Sequence, residues 1–144
     1  MLYNGLERDL KTFAEFIYIY ETSIKFKSKV DDFGLISQRA AQLFKKNIQP
    51  KVKYATKNEI ADFIDESKKQ SLFFTKDNNA QIFCFCRHLR NSFGHALLRK
   101  ERQKLYITDK YRGQETAKGD LDYQDVIDFI VMIIKDYKNK NKNK

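Results

Sequence analysis

Apolar side chains recur every three to four residues along most of the chain, a pattern that predicts amphipathic helices. Asn4 with Glu7, and Thr56 with Glu59, have the spacing of a capping box and mark two predicted helix starts. The helices predicted in this way cover about residues 4–29, 31–49, 56–64 and 122–138. Each has an apolar face to bury, so the pattern favours a helical bundle.

Another helix is predicted within residues 81–99, a stretch that holds both histidines and three of the seven arginines. Its narrow apolar stripe would consist of Cys86, Leu89, Phe93 and Leu97. Its polar side would carry Arg87, His88, Asn91 and His95. Gly94 is a poor helix former and marks the place where a bend would cost least.

The pattern changes after this helix, because apolar and polar residues alternate from Lys104 to Tyr111. Arg112-Gly113 is typical of a turn, and residues 114–118 are compatible with a second strand. The predicted fold is therefore mainly α, an up-and-down bundle of four to five helices with a small β-hairpin before the last helix. Residues 1–138 would form this single helical domain, and the alternating Lys and Asn of residues 139–144 a disordered tail.

The charge balance favours a polyanionic partner. Lysine and arginine number 28 against 19 aspartates and glutamates, which gives a formal net charge of +9. This excess favours nucleic acid over a membrane surface. No signal peptide precedes the first predicted helix, and no apolar run approaches the roughly 18 residues that a membrane span needs. A cytoplasmic location is therefore expected.

The only two cysteines, Cys84 and Cys86, alternate with His88 in a pattern that suggests zinc. On a helix, however, the two thiols would point about 160° apart, and too few further ligands are close by. Buried, reduced thiols are the better prediction. The carboxylates near the third and last helix starts suit the helix macrodipole. Neither a metal ion nor a cofactor is expected.

The segment RNSFGH at residues 90–95 resembles the signature of the HEPN superfamily. That signature is an arginine, usually followed by a polar residue, and a histidine after four to six intervening positions. Members are all-α bundles that usually dimerise, and many are metal-independent endoribonucleases of toxin, phage-defence or RNA-processing systems. The resemblance implies that Arg90 and His95 are catalytic, that Asn91 supports them, and that two protomers build one composite site.

Partners and regulation also follow from the resemblance. It implies RNA, a second copy of the chain in a homodimer and, in a toxin system, an antitoxin protein. Members paired with a nucleotidyltransferase antitoxin often carry a tyrosine two residues after the histidine. The present chain has Leu97 there, which argues against regulation by modification of such a tyrosine.

The residue types suit cleavage of RNA by its own 2′-hydroxyl. That reaction needs a base, an acid and positive charge on the phosphate. Histidine, with an unperturbed pKa of about 6.5, can serve in either proton transfer, and arginine has a planar cationic fork for phosphate. One motif histidine per chain is too few for both proton transfers, so a dimer would supply the second. The resemblance implies products with a 2′,3′-cyclic phosphate and a 5′-hydroxyl.

Other interpretations use the same residues. Further substrate contacts are predicted at Arg87, His88, Ser92 and Arg99. The alternative function is a non-catalytic basic helical module that binds nucleic acid or a partner protein. A third interpretation, a binder of nucleotides or other phosphate ligands, is disfavoured because the chain has no glycine-rich phosphate loop. In the simplest interpretation, His95 is an ordinary surface histidine and the aliphatic part of the Arg90 side chain lies over the core.

Overall fold

The computed structural model describes residues 5–27, 32–62 and 71–142. These residues form an α+β fold in which helices pack against a five-stranded mixed sheet. The prediction of a mainly α bundle with one small hairpin is therefore wrong. The hairpin is part of a larger sheet, whose remaining strands are three residues long and too short to give an alternating pattern.

The helical segments follow the predicted ranges, with additional local irregularities. Their bounds are α1 (Leu10–Ile19), α2 (Lys25–Lys27), α3 (Gly34–Leu43), α4 (Lys57–Ala61), α5 (Gln81–Gly94) and α6 (Tyr123–Lys142). A π-helical segment, Tyr20–Ile24, connects α1 to α2, and another, Phe44–Ile48, follows α3. Short 3-10 turns occupy Glu7–Asp9 and Gln49–Lys51.

The sheet has the spatial order β1-β2-β5-β4-β3. Its strands are β1 (Val52–Tyr54), β2 (Leu72–Phe74), β3 (Arg99–Glu101), β4 (Lys104–Tyr111) and β5 (Gln114–Asp122). β1 and β2 are parallel, and the other pairs are antiparallel. β1 is therefore one edge of the sheet, and β3 is the other.

The β4–β5 hairpin closes through Arg112 and Gly113, whose φ angles are 52° and 79°. Positive φ at both central positions is the pattern of a type I′ turn, whose twist matches that of the paired strands. Glycine adopts this conformation at little cost. The predicted strands at residues 104–111 and 114–118 are present, and the second extends to Asp122.

α5 runs through the centre of the molecule. Its buried residues are Phe83, Cys84, Phe85, Cys86, His88, Leu89, Ser92 and Phe93. The Phe93 ring stacks on Phe13 of α1, with ring centroids 5.2 Å apart, and Phe85 lies 5.7 Å from Phe129 of α6. The opposite side of α5 packs on β4. α5 is thus buried on more sides than the narrow stripe predicted.

Side-chain caps are present at the starts of two helices. Thr56 and Glu59 form the expected capping box, with hydrogen bonds of 3.0 and 3.1 Å. The Asp125 N–H donates to Asp122 Oδ1 over 3.0 Å at the start of α6. Asn4, the residues of the third predicted helix beyond position 62, and residues 143–144 lie outside the described residues.

α6 continues to Lys142, beyond the point at residue 139 where the disordered tail was expected to begin. Lys140 Nζ donates hydrogen bonds to the backbone oxygens of Leu35 and Ile36, the second over 3.0 Å. Contacts with α3 therefore accompany helical structure in residues that composition alone assigned to the tail. Within the described ranges, none of the helices has the length and apolar character to cross a membrane.

Candidate functional site

The predicted motif lies at the C-terminal end of α5, where the chain leaves the helix. α5 ends at Gly94, and His95 is the C-cap, so the helix stops where the sequence suggested a bend. The Ala96 N–H donates to Phe93 O over 3.1 Å and the Leu97 N–H donates to Ser92 O over 2.8 Å. This pair of bonds is a Schellman motif, which satisfies the last helical carbonyls. His95 is thereby fixed at an exposed helix terminus.

The Schellman motif places an alanine where glycine is preferred. Ala96 has a φ of 58°, in the left-handed region that costs alanine about 1 kcal/mol. We expect Ala96→Gly to raise the free energy of unfolding by about 0.5–1 kcal/mol, measured by urea denaturation. Ala41→Gly, within α3, is the matched control and should lower it by about 1 kcal/mol. A loss of stability in Ala96→Gly would contradict the prediction.

Arg90 lies beside this terminus and is tied to the first helical segment. Its Nε donates to Glu21 Oε1 over 2.7 Å, and the Arg90 side chain is 29% exposed. A Cβ added at Gly94 would lie 2.9 Å from Arg90 Nη1. Because Gly94 has no side chain, the Arg90 guanidinium can lie along the last turn of α5. Gly94 immediately precedes His95 in the chain.

Glu21 organises the positive charge at this site. It lies in the π-helical segment between α1 and α2, and Lys25 Nζ donates to its Oε2 over 2.9 Å. Hydrogen bonds from Lys25 and then Arg90 hold the pKa of Glu21 below its usual value. One carboxylate thus fixes two cations, and two positive charges against one negative charge remain attractive to a phosphate. The sequence analysis missed Glu21, for which no local signal existed.

The other polar residues of α5 turn toward the sheet. His88 is fully buried, and its Nδ1 donates to Asp109 Oδ2 of β4 over 2.8 Å. Asn91 Nδ2 donates to the same oxygen over 3.2 Å. Burial acts to raise the pKa of Asp109, but the hydrogen bonds from His88 and Asn91 outweigh it and hold the pKa below its usual value. The predicted polar face of α5 is therefore in part an internal contact.

Arg87 and the two cysteines form a neighbouring cluster. Arg87 Nη2 lies 3.0 Å from Asp77 Oδ2 and 3.4 Å from His88 Nε2. The Cys84 thiol donates to Asp77 Oδ1 over 2.9 Å. Burial, with the neighbouring Asp77, raises the pKa of Cys84 to about 12, and burial also raises the pKa of Cys86. Both cysteines are free and buried, as predicted, and their protonated thiols are poor nucleophiles.

Ser92 and Arg99 occupy different environments. Ser92 is fully buried, and its Oγ accepts a hydrogen bond from the Thr108 N–H over 3.3 Å. It thus joins α5 to β4. Arg99 is exposed on β3, pairs with Glu101 and lies over the Tyr106 ring, 4.2 Å from its centroid. Arg99 is accessible to a ligand, whereas Ser92 is enclosed.

The structure therefore divides the predicted site residues into two groups. Arg90, His95 and the exposed part of Asn91 lie at the C-terminal end of α5, while His88 and Ser92 are interior. The interior partner Asp109 was also missed by the sequence analysis. The sequence does contain an indication that Asp109 is buried. Asp109 follows Leu105 and Ile107 on the inward-facing positions of an alternating strand. Among the described residues, no group of three or more His, Cys, Asp or Glu side chains is arranged to hold a metal ion.

Comparison with known families defines the class of protein. The family model described as HEPN pEK499 p136 matches residues 10–144. The match covers nearly the whole chain, so this protein belongs to that HEPN family. Searches of curated proteins and of solved structures found no match.

Proposed function

We propose that this protein is a metal-independent endoribonuclease of the HEPN type. The observation that carries the proposal is that Arg90, held by Glu21, and the exposed His95 both lie at the C-terminal end of α5. Glu21 accepts a hydrogen bond from the Arg90 Nε, and Gly94, the residue before His95, leaves room for the guanidinium. The motif residues thus combine a restrained cation with an accessible imidazole, the two groups that phosphodiester cleavage by the 2′-hydroxyl requires.

The roles of the motif residues follow from their chemistry. Arg90 stabilises the negative charge on the pentacoordinate phosphate, and His95 transfers protons as base or acid. Asn91 supports the site. Because each chain has one exposed motif histidine, two protomers of a homodimer form the composite site and provide both an acid and a base. A toxin or phage-defence role, with an antitoxin protein as partner, fits such an activity.

The remaining predicted contacts are assigned by their exposure. In this proposal Arg99, which lies over the Tyr106 ring, and the partly exposed Arg87 contact the RNA backbone, and their exposure supports that role. His88 and Ser92 are enclosed between α5 and β4, so they contribute by fixing α5 to the sheet. These assignments modify the sequence-based list of substrate contacts.

The test is RNA cleavage in excess EDTA by the purified wild type and Arg90→Ala. We expect the wild type to cleave RNA and leave 2′,3′-cyclic phosphate and 5′-hydroxyl ends. Arg90→Ala should be slower by about two orders of magnitude, because one preorganised donor to the transition state is lost. Arg8→Ala, which removes an arginine that is 78% exposed, is the matched control and should cleave normally.

The alternative is a non-catalytic module that binds nucleic acid through exposed cation–aromatic pairs such as Arg99 with Tyr106. It predicts salt-dependent RNA binding by the wild type with no cleavage. Cleavage that requires Mg²⁺, or equal rates for the wild type and Arg90→Ala, would refute the HEPN-type mechanism. Intact RNA in every reaction, with retained binding, would favour the alternative.

A further inference from the structure

Two exposed tyrosines lie at the same end of the sheet. Tyr54 is the last residue of β1 and is 40% exposed, and Tyr111 is the last residue of β4 and is 57% exposed. Tyr54 pairs with Phe74 of β2, which pairs with Ala117 of β5. Ala117 pairs with Asp109 of β4, two residues before Tyr111. The two tyrosines are therefore three strand spacings apart across the sheet, roughly 15 Å at about 4.8 Å per strand.

Basic side chains lie over both of these rings. Lys76 Nζ is 5.8 Å from the centroid of the Tyr54 ring. Lys57 Nζ is 5.8 Å from the centroid of the Tyr111 ring, and the Arg112 guanidinium carbon is 5.3 Å from it. Among the described residues, none of these three cations forms a salt bridge with a carboxylate. Their charges are therefore available to a phosphate, beside an aromatic surface.

Aromatic rings elsewhere on the surface lack this combination. Arg99 lies over a ring but pairs with Glu101, and Lys25 lies over another ring but pairs with Glu21. Tyr18 is 60% exposed, and none of the described cations lies over its ring. The end of the sheet thus differs from the rest of the surface in combining exposed rings with cations that no acid engages.

A groove beside the first of these rings indicates which part of a nucleotide it accepts. The groove is lined by Tyr54, Ala55, Thr56, Glu59, Thr75 and Lys76. The Thr56 backbone N–H donates to Glu59 Oε1 over 3.0 Å, and this hydrogen bond holds the pKa of Glu59 below its usual value. A carboxylate in the groove repels a phosphate but accepts a hydrogen bond from the amino group of a base. The groove therefore suits a base, and the cations suit the phosphates.

We call the following five residues the tyrosine platform: Tyr54, Lys57, Lys76, Tyr111 and Arg112. We propose that the tyrosine platform binds single-stranded RNA, with bases stacked on the two rings and phosphates bound by the three cations. A lysine 5.8 Å from a ring centroid is near the limit of about 6 Å for cation–π attraction, so its ammonium group leaves the ring for a phosphate at little cost.

The tyrosine platform selects single strands because stacking on a side chain needs an exposed base face. A duplex keeps its bases stacked on one another, whereas the bases of a single strand are free to stack on aromatic side chains. This surface is additional to the motif at residues 90–95. Its binding of RNA does not depend on cleavage.

The experiment measures binding by fluorescence anisotropy. The probe is a short labelled 2′-O-methyl uridine oligonucleotide, whose blocked 2′-hydroxyl prevents cleavage through that group. The same strand annealed to its complement is the duplex probe. We expect the wild type to bind the single strand about tenfold more tightly than the duplex, because only the single strand offers base faces to the two tyrosines.

We expect Tyr111→Ala to weaken binding of the single strand about tenfold and to leave duplex binding unchanged, because one stacked base is lost. Tyr111→Phe keeps the ring and should stay within about twofold of the wild type. Tyr18→Ala, which removes another exposed tyrosine, is the matched control and should bind normally. Lys57→Gln should lower the slope of log affinity against log salt by about 0.7, the value for one phosphate contact on a single strand.

Tyr54→Ala should weaken binding in the same way as Tyr111→Ala. Tyr54 also packs on Phe74, with ring centroids 5.5 Å apart, so urea denaturation accompanies this variant. If Tyr54→Ala does not fold, Tyr111→Ala at the exposed hairpin turn and Lys57→Gln decide the matter. Equal affinity of the wild type for single strand and duplex, or unchanged binding in Tyr111→Ala, would overturn the inference. A loss of binding confined to Lys57→Gln would also overturn it, because charge alone would then bind the strand.

The outcomes separate this surface from the proposed ribonuclease. Cleavage of RNA in excess EDTA by the wild type, with normal probe binding in Tyr111→Ala, would support the ribonuclease and refute the tyrosine platform. Probe binding that depends on the tyrosines, in a wild type that cleaves no RNA, would support the tyrosine platform and refute the ribonuclease.

Discussion

Replacing His95 by alanine is expected to lower the rate of RNA cleavage by about two to four orders of magnitude. His95 is exposed, and in the proposed mechanism its imidazole is the proton-transfer group. The loss of a general acid or base has an effect of this size. The free energy of unfolding should change by less than about 0.5 kcal/mol, because His95 is a surface residue. Initial rates in excess EDTA and urea denaturation measure the two quantities.

His95→Gln extends this prediction. Glutamine keeps hydrogen-bonding groups at the helix terminus but cannot transfer a proton at neutral pH, so its rate should match that of His95→Ala. Full activity in His95→Gln would show that the side chain only binds substrate. Full activity in both variants would remove His95 from the proposed mechanism.

Replacing His88 by alanine is expected to have the opposite profile, with a loss of about 3–5 kcal/mol in the free energy of unfolding. His88 is fully buried, and its Nδ1 holds the buried Asp109 carboxylate over 2.8 Å. Removing the ring leaves a buried charge with less compensation and opens a cavity beside Phe74, whose ring centroid lies 5.1 Å away. Urea denaturation near neutral pH measures the effect.

His95→Ala is the matched control for His88→Ala, because both remove one imidazole from the same stretch of chain. We expect His88→Ala to lose stability, and His95→Ala to lose activity with little loss of stability. Equal, small losses of stability in the two variants would contradict the buried environment of His88. A destabilised His88→Ala that regains the wild-type cleavage rate per folded molecule at low temperature would support a purely structural role for His88.

The local sequence was sufficient for those features that depend on near neighbours in the chain. The periodic apolar residues located the helices, the spacing of Thr56 and Glu59 gave a capping box, and alternation gave the β4–β5 hairpin. The motif at residues 90–95 is also local in sequence, and it indicated the HEPN family. The family match over residues 10–144 shows that family. Each of these signals lies within a few residues of the structure that it specifies.

The tertiary structure alone decided the fold class and the separation of the polar residues of α5. β1 and β2 have three residues each, and their pairing joins segments that are distant in the chain, so no local pattern specifies the sheet. Helical periodicity placed His88 and Asn91 on a polar face but could not tell whether that face meets water or a carboxylate. Asp109 lies 21 residues after His88, on β4, so its contact with α5 depends on the tertiary structure. The buried acid needs hydrogen-bond donors, and the predicted solvent-facing surface of α5 is therefore an internal hydrogen-bonded contact.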